Sequence, residues 1–178
     1  MALKATIFKA ELQIADMDRG YYNDLSLTLA QHPSETDERM MVRLLAFIIH
    51  ADEQLQFTRG LSANDEPELW QKSLSDEIEL WIDVGLPDEK RIKKACNRSK
   101  QVYLYTYGGR NVGPWWEQNK KQLARYSNLK IVNIAQEMTK SMAGLVQKTM
   151  NLQCTIQDGQ IWLSDSTLSV EITPEVLN

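Results

Sequence analysis

Cysteine and histidine are scarce in this sequence: Cys96, Cys154, His32 and His50 are all it has among 178 residues. Two isolated cysteines exclude a disulfide framework and a thiolate metal site, and they fit a reducing compartment, the cytoplasm. Two isolated histidines supply neither a zinc site nor a Ser-His-Asp triad. Glycine and proline are sparse, at 8 and 5 residues, and 43% of the chain is hydrophobic, which excludes collagen-like, disordered and low-complexity classes. There is no run of about 18 apolar residues. The opening Met1-Ala2-Leu3-Lys4-Ala5-Thr6 alternates apolar and polar positions where a signal peptide needs a continuous apolar stretch, so no membrane association is expected. Gly108-Gly109 and Gly113 lack the phosphate-binding pattern of a nucleotide loop. What remains is enough chain to bury a core without staples, and a single domain over 1–178 is expected.

Charge is present in quantity but unevenly placed. The net charge is −4, yet residues 90–130 hold 11 Lys and Arg and one acid, Glu117, while the remaining positions carry 9 bases and 23 acids. One reading is structural: Asp88 and Glu89 open a helix that Arg91, Lys93 and Lys94 continue, complementing its dipole and solvating its outer face. The other is a footprint for an anionic polymer, a nucleic acid, in which Trp115, Trp116 and Tyr126 interleave with Lys120, Lys121 and Arg125.

Periodicity sketches the elements. Alternation through Leu3, Ala5, Ile7, Ala10, Leu12 and Ile14, and again through Tyr21, Leu25, Leu27 and Leu29, predicts an N-terminal hairpin. Ser34 with Asp37 three residues on reads as a helix cap, ahead of a largely buried helix over about 35–53. Strands are expected at 55–59, 68–73 and 78–84, a helix from Pro87 to about Arg98, and a strand over 101–107. Beyond these, 114–126 suggests a helix, 129–135 a strand and 136–150 another helix. The last 28 residues read as a small β-sheet, with Asp158-Gly159 at a tight turn.

The segment richest in chemistry is Asp65-Glu66-Pro67-Glu68-Leu69-Trp70-Gln71-Lys72 with Ile78-Glu79-Leu80-Trp81-Ile82-Asp83. If these strands form a hairpin around Ser75-Asp76, Glu68 faces Asp83, Trp70 faces Trp81 and Lys72 faces Glu79 on one side of the sheet. Opposed carboxylates, about 5 Å apart at Cβ, are unfavourable unless a proton or cation lies between them. Mg²⁺ takes one or two carboxylates plus phosphate oxygens and can activate an attacking water. Alternatively, Glu68 and Asp83 lie on a solvated face, each beside a lysine or arginine, and Trp70 and Trp81 are core packing.

The order helix, three strands, helix, strand, with Pro67-Glu68 on one strand and an acid on the next, resembles the PD-(D/E)XK nuclease core. The whole chain resembles the bacterial YaeQ family, through His32-Pro33-Ser34-Glu35-Thr36, Leu55-Gln56-Phe57-Thr58-Arg59-Gly60-Leu61, Asp65-Glu66-Pro67-Glu68, Gly85-Leu86-Pro87-Asp88-Glu89 and Arg91-Ile92-Lys93-Lys94-Ala95-Cys96. The resemblance implies an α/β fold with a mixed central sheet, a restriction-endonuclease-like αβββαβ core at about 35–107, an N-terminal hairpin and a small C-terminal sheet. It further implies Glu68 and Asp83 as the two motif acids, holding Mg²⁺ for phosphodiester hydrolysis. The motif lysine would fall at position 85, which is Gly85. Lys72, Arg91 and Lys93 are the substitutes, and Lys93 is preferred over Lys94 because it flanks the inner face of its helix. Glu38, on the stripe of Met41, Val42 and Leu45, is a further candidate acid. Arg91, Lys94, Lys120, Lys121 and Arg125 would approach a nucleic-acid backbone. Because of Gly85, a catalytically inert descendant that binds a protein or a nucleic acid stands as the alternative.

Overall fold

The computed structural model describes residues 4–62 and 65–178. Leu3, the first position of the expected alternation, lies outside them. The described residues form a mixed α/β structure with four α-helices and two mixed sheets, divided between two compact units. One comprises Met1–Met41 with Glu137–Pro174, the other Val42–Gln136 with Glu175–Asn178.

In the first unit the hairpin forms as its alternation predicts. β1 (Thr6–Asp16) buries Phe8, Ala10, Leu12 and Ile14 and exposes the residues between, and β2 (Tyr21–Gln31) pairs with it antiparallel along its whole length. The helix expected over 136–150 is only half present. α4 (Gln136–Ala143) stops before Gly144, and β8 (Thr149–Gln157) takes over with Met150, Leu152, Cys154 and Ile156 buried in strict alternation. This period-2 stripe aligns parallel to β1, a non-local pairing that overrides local helix preference. The C-terminal strands are consequently not a separate small sheet. β9 (Gln160–Ser164) and β10 (Ser169–Ile172) extend the hairpin's own sheet in the order β10-β9-β8-β1-β2. Asp158 and Gly159 make the turn, both at positive φ, and the Asp18 carboxylate accepts from their amides at 2.7 and 2.8 Å.

α1 (Asp37–Ile49) begins in the first unit, and the boundary falls after Met41. Its cap is Thr36 rather than Ser34: Thr36 Oγ1 accepts from the Arg39 amide at 3.1 Å, while the Ser34 hydroxyl bonds His32 Nδ1 at 2.7 Å. From Met40 to Ile48 every residue is buried, Arg43 included.

The second unit carries a six-stranded sheet ordered β11-β7-β6-β5-β4-β3. β3 (Leu55–Phe57), β4 (Leu69–Lys72) and β5 (Ile78–Val84) form an antiparallel meander, and β6 (Ser99–Thr106) and β7 (Leu129–Asn133) continue parallel to β5. β11 (Glu175–Val176) closes the other edge. Between β5 and β6 runs α2 (Glu89–Arg98), whose Asp88 cap accepts from the Arg91 amide at 2.9 Å and whose buried face is Ile92, Ala95 and Cys96. That face packs with Trp81, Val102, Leu104 and Ile131 in one core, and Trp115, Trp116 and Tyr126 lean against it from α3 (Val112–Leu123) and the turn after it. Trp115 and Tyr126 are further tied down by hydrogen bonds, Trp115 Nε1 to the Pro87 carbonyl at 2.9 Å and the Tyr126 hydroxyl to Glu89 at 2.8 Å. No helix among the described residues is long and apolar enough to cross a membrane.

Candidate functional site

The β4–β5 hairpin sets the geometry. Leu69 stands opposite Ile82, Trp70 opposite Trp81 and Gln71 opposite Leu80, the register expected from the sequence, and the two indoles meet edge to face at 6.4 Å. A bulge after Gln71 then places Lys72 opposite Ile78, so the expected pairing of Lys72 with Glu79 does not occur. Lys72 instead pairs with Asp76 at 3.5 Å and lies over the Trp70 ring, while Glu79 pairs with Lys100 at 3.0 Å. Glu68 precedes the regular ladder, its amide donating to the Ile82 carbonyl at 2.9 Å.

Both motif-like acids are buried, Glu68 and Asp83 each 5% exposed, which rules out a solvated sheet face. Burial of a carboxylate demands a partner. Asp83 receives a two-pronged one: Arg91 Nε donates to Oδ2 and Nη2 to Oδ1, both at 3.0 Å, and Nη2 also donates to the Glu66 carbonyl at 2.9 Å. Glu68 pairs with buried Arg43 of α1, Nε to Oε2 at 3.9 Å, and Arg43 lies over the Phe57 ring. Gly60 approaches Glu68 so closely that a Cβ there would sit 2.6 Å from Oε2. The neighbouring Glu66 is held below the usual carboxylate range by hydrogen bonds from the Arg59 side chain and amide.

The other candidates are dispersed. Glu38 accepts from the buried Thr139 hydroxyl at 2.9 Å within the first unit. Lys93 and Lys94 are exposed on α2, where they line a shallow depression with Asp88, Lys90, Arg91 and Asn97. Of the other basic residues, Lys120 pairs with Glu117 at 2.7 Å and Arg125 with Glu89 at 2.8 Å. Lys90, Lys94 and Lys121 are exposed and form no ion pair among the described residues. Gly85, in the place of the motif lysine, has φ +110, a conformation that side-chain-bearing residues rarely adopt. No motif in the sequence marks Arg43 or Gly60 as a site residue. A lone arginine inside the apolar run Met40 to Ile48 was the available signal for the first, since a buried cation needs a buried anion.

A divalent cation seeks oxygens whose charge is not already answered. Here two carboxylates face two guanidiniums, and both oxygens of Asp83 accept from Arg91. No group of three or more His, Cys, Asp or Glu side chains placed to hold a metal occurs among the described residues. As arranged, these residues do not fit Mg²⁺.

Fold and site together define a mixed α/β protein whose second unit buries carboxylates against arginines beside a basic helix. The family model described as YaeQ protein matches residues 1–174. The Escherichia coli (strain K12) "Uncharacterized protein YaeQ" is 52% identical over 172 residues, 97% of this chain and 95% of that protein. Among solved structures, the YaeQ protein from Xanthomonas axonopodis pv. citri is similar with a TM-score of 0.95 and 49% identity, covering 98% of each chain. That from Pseudomonas syringae has a TM-score of 0.93 and 36% identity, covering 98% of this chain and 96% of its own. The chain belongs to the YaeQ family.

Proposed function

We propose that this YaeQ-family protein is a non-hydrolytic nucleic-acid-binding module built on a PD-(D/E)XK-like core. The element order α1-β3-β4-β5-α2-β6 supports that kinship, and the carrying observation is the Arg91–Asp83 fork. In a hydrolase of that kind the second acid holds a metal; here it holds an arginine. Arg91 is thereby a structural counter-ion, and the residues of the basic segment available to a phosphate backbone include Lys90, Lys93 and Lys94 of α2 with Lys121 of α3. Lys120 and Arg125, already paired with acids, contribute less. Backbone binding of this kind is independent of sequence and falls steeply with salt.

The test combines two titrations. Calorimetric titration of Mg²⁺ and Mn²⁺ is expected to give no saturable heat, in the wild type or in Glu68→Ala/Asp83→Ala. Fluorescence anisotropy with labelled single- and double-stranded DNA and RNA is expected to show binding that weakens with salt. Lys94→Glu/Lys121→Glu should weaken it further and flatten the salt slope, whereas Lys120→Glu should change little. Saturable metal binding that disappears in the double acid variant would replace this reading with metal-dependent phosphodiester hydrolysis. Absence of binding to any of the four nucleic acids would leave a protein partner as the module's target.

A further inference from the structure

The five-stranded sheet of the first unit buries one face, which carries Leu12, Leu152 and Leu163, and the residues between these point to the other. The strand registers set those outward residues in rows. One row runs through Asp24 on β2, Gln13 on β1, Gln153 on β8 and Ser164 on β9. The row on one side of it is Ser26, Glu11 and Asn151, and the row on the other is Tyr22, Ala15, Thr155 and Trp162. Asp24, Gln13, Gln153, Ser26, Glu11 and Asn151 are all exposed, and together they line a hollow of about 480 Å³. Gln147 and residues 165–167 also line it, as do Leu12, Leu25 and Leu152 of the same strands, so the whole lining belongs to this unit.

The chemistry of the lining selects its occupant. Among the described residues no lysine or arginine lines the hollow, and three acids do, Glu11, Asp24 and Asp165, which repel a phosphate or a nucleic acid. Two of the three already accept hydrogen bonds within the chain. Glu11 accepts from the Ser26 hydroxyl, and Asp165 from the Thr167 and Leu168 amides at 2.8 and 2.7 Å. Around them stand the amide side chains of Gln13, Gln147, Asn151 and Gln153, each able to donate and to accept. A polyamine would use the acceptors and leave the amide donors unpaired, and an apolar ligand would leave both unpaired. Neutral hydroxyl groups, which donate and accept at once, match the whole set.

We propose that this hollow binds a neutral oligosaccharide, with Gln13, Gln153, Asn151 and Asp24 pairing its hydroxyls and the adjoining row supplying rings for its apolar faces. Tyr22 and Trp162 are 64% and 36% exposed on that row, where the small side chains of Ala15 and Thr155 separate them. Their strands are three spacings apart, about 14 Å, the span of a short oligosaccharide. An indole and a phenol held on a polar surface offer flat apolar area to the C–H side of a sugar ring while their polar tips stay wet. The proposal is independent of nucleic-acid binding, which was placed on the second unit.

Saturation-transfer difference NMR on the full chain tests it, with maltohexaose, cellohexaose, mannohexaose and chitohexaose at millimolar concentration and spermidine as the cationic probe. At least one hexaose is expected to give a saturable response. Gln13→Ala/Gln153→Ala, at exposed positions, should weaken it about tenfold. Trp162→Ala should weaken it about fivefold, and Tyr22→Phe, which keeps the ring, should leave it unchanged. Lys94→Glu/Lys121→Glu, in the second unit, should also leave it unchanged, which separates this site from the nucleic-acid surface. A response from none of the four hexaoses overturns the proposal, and a spermidine response in their place would assign the hollow to a cation. Hexaose binding that is unaltered in folded Gln13→Ala/Gln153→Ala overturns it as well. Should that variant fail to fold, Trp162→Ala decides, and unaltered binding there overturns it.

Discussion

Arg91 meets Asp83 with two parallel hydrogen bonds of 3.0 Å, and the same guanidinium reaches the Glu66 carbonyl at 2.9 Å. One side chain of α2 therefore ties the end of β5 to the segment leading into β4. Removing it leaves a carboxylate buried without its cation, which in a fully enclosed site costs about 3–5 kcal/mol. The Arg91 side chain is 31% exposed, so water can partly replace it. Arg91→Met is accordingly expected to destabilise the protein by about 2–3 kcal/mol in urea unfolding. Asp83→Leu/Arg91→Met should recover much of the loss, because the buried charge leaves with its partner. Equal stability of single and double variants would show that the fork is not a buried pair of this kind.

Two glycines of the same unit separate backbone strain from crowding. Gly85 has φ +110 with nothing within 4 Å of a Cβ, whereas Gly60 has φ +52 and a Cβ there meets Glu68 Oε2 at 2.6 Å. Gly85→Lys, which would restore the motif lysine, is expected to cost about 1–2 kcal/mol from the backbone alone and to create no hydrolytic activity. Gly60→Ala adds displacement of a buried, ion-paired carboxylate and should cost about 2–4 kcal/mol. Thermal unfolding of the two variants checks the ranking.

Much of this organisation was legible in the residues. The β4–β5 register over Leu69–Gln71 followed from a hairpin around Ser75-Asp76, the β8–β9 turn from Asp158-Gly159, and α2 from Pro87-Asp88-Glu89 and the Ile92-Ala95-Cys96 face. These depend on neighbours in sequence. The expected 136–150 helix ends at Ala143, and β8, which begins at Thr149, is set by β1, more than a hundred positions away, a pairing that no local periodicity encodes. The site shows the same division. The sequence left Glu68 and Asp83 either a shared proton or cation or a solvated face beside a lysine or arginine, and the outcome depended on two helices. α1 and α2 bring Arg43 and Arg91 to those acids, and the answer is guanidinium.

A second tie joins α2 to the turn after α3. Glu89 accepts from both the Tyr126 hydroxyl and Arg125 at 2.8 Å, and these bonds, the tyrosine's first, hold its carboxyl below the ordinary glutamate range. Because the depressed value belongs to the folded state, this contribution is present above the ordinary glutamate pKa and lost as pH falls through the folded value. Tyr126→Phe removes the leading cause. The Glu89 carboxyl, followed by ¹³C NMR titration, is then expected to shift upward toward the ordinary range. An unmoved titration would mean that the hydroxyl is not its principal partner.

The two thiols give the last prediction, and its sign follows from burial. Desolvation raises Cys96 to about 11, and desolvation with the nearby Asp16 charge raises Cys154 to about 12, against an ordinary 9.0. Thiolate is the reactive form, so at pH 8 the native protein should react with a thiol reagent far more slowly than the unfolded chain, and Cys154 more slowly than Cys96. Since the folded values lie above the unfolded one, the neutral thiols favour the fold fully below pH 9, and that advantage declines as pH rises toward 11 for Cys96 and 12 for Cys154. Urea unfolding from pH 8 to 11 should show wild-type stability falling more steeply than that of Cys96→Ala/Cys154→Ala. Parallel curves would place the thiols outside the alkaline transition, and rapid native labelling of Cys154 would contradict its burial.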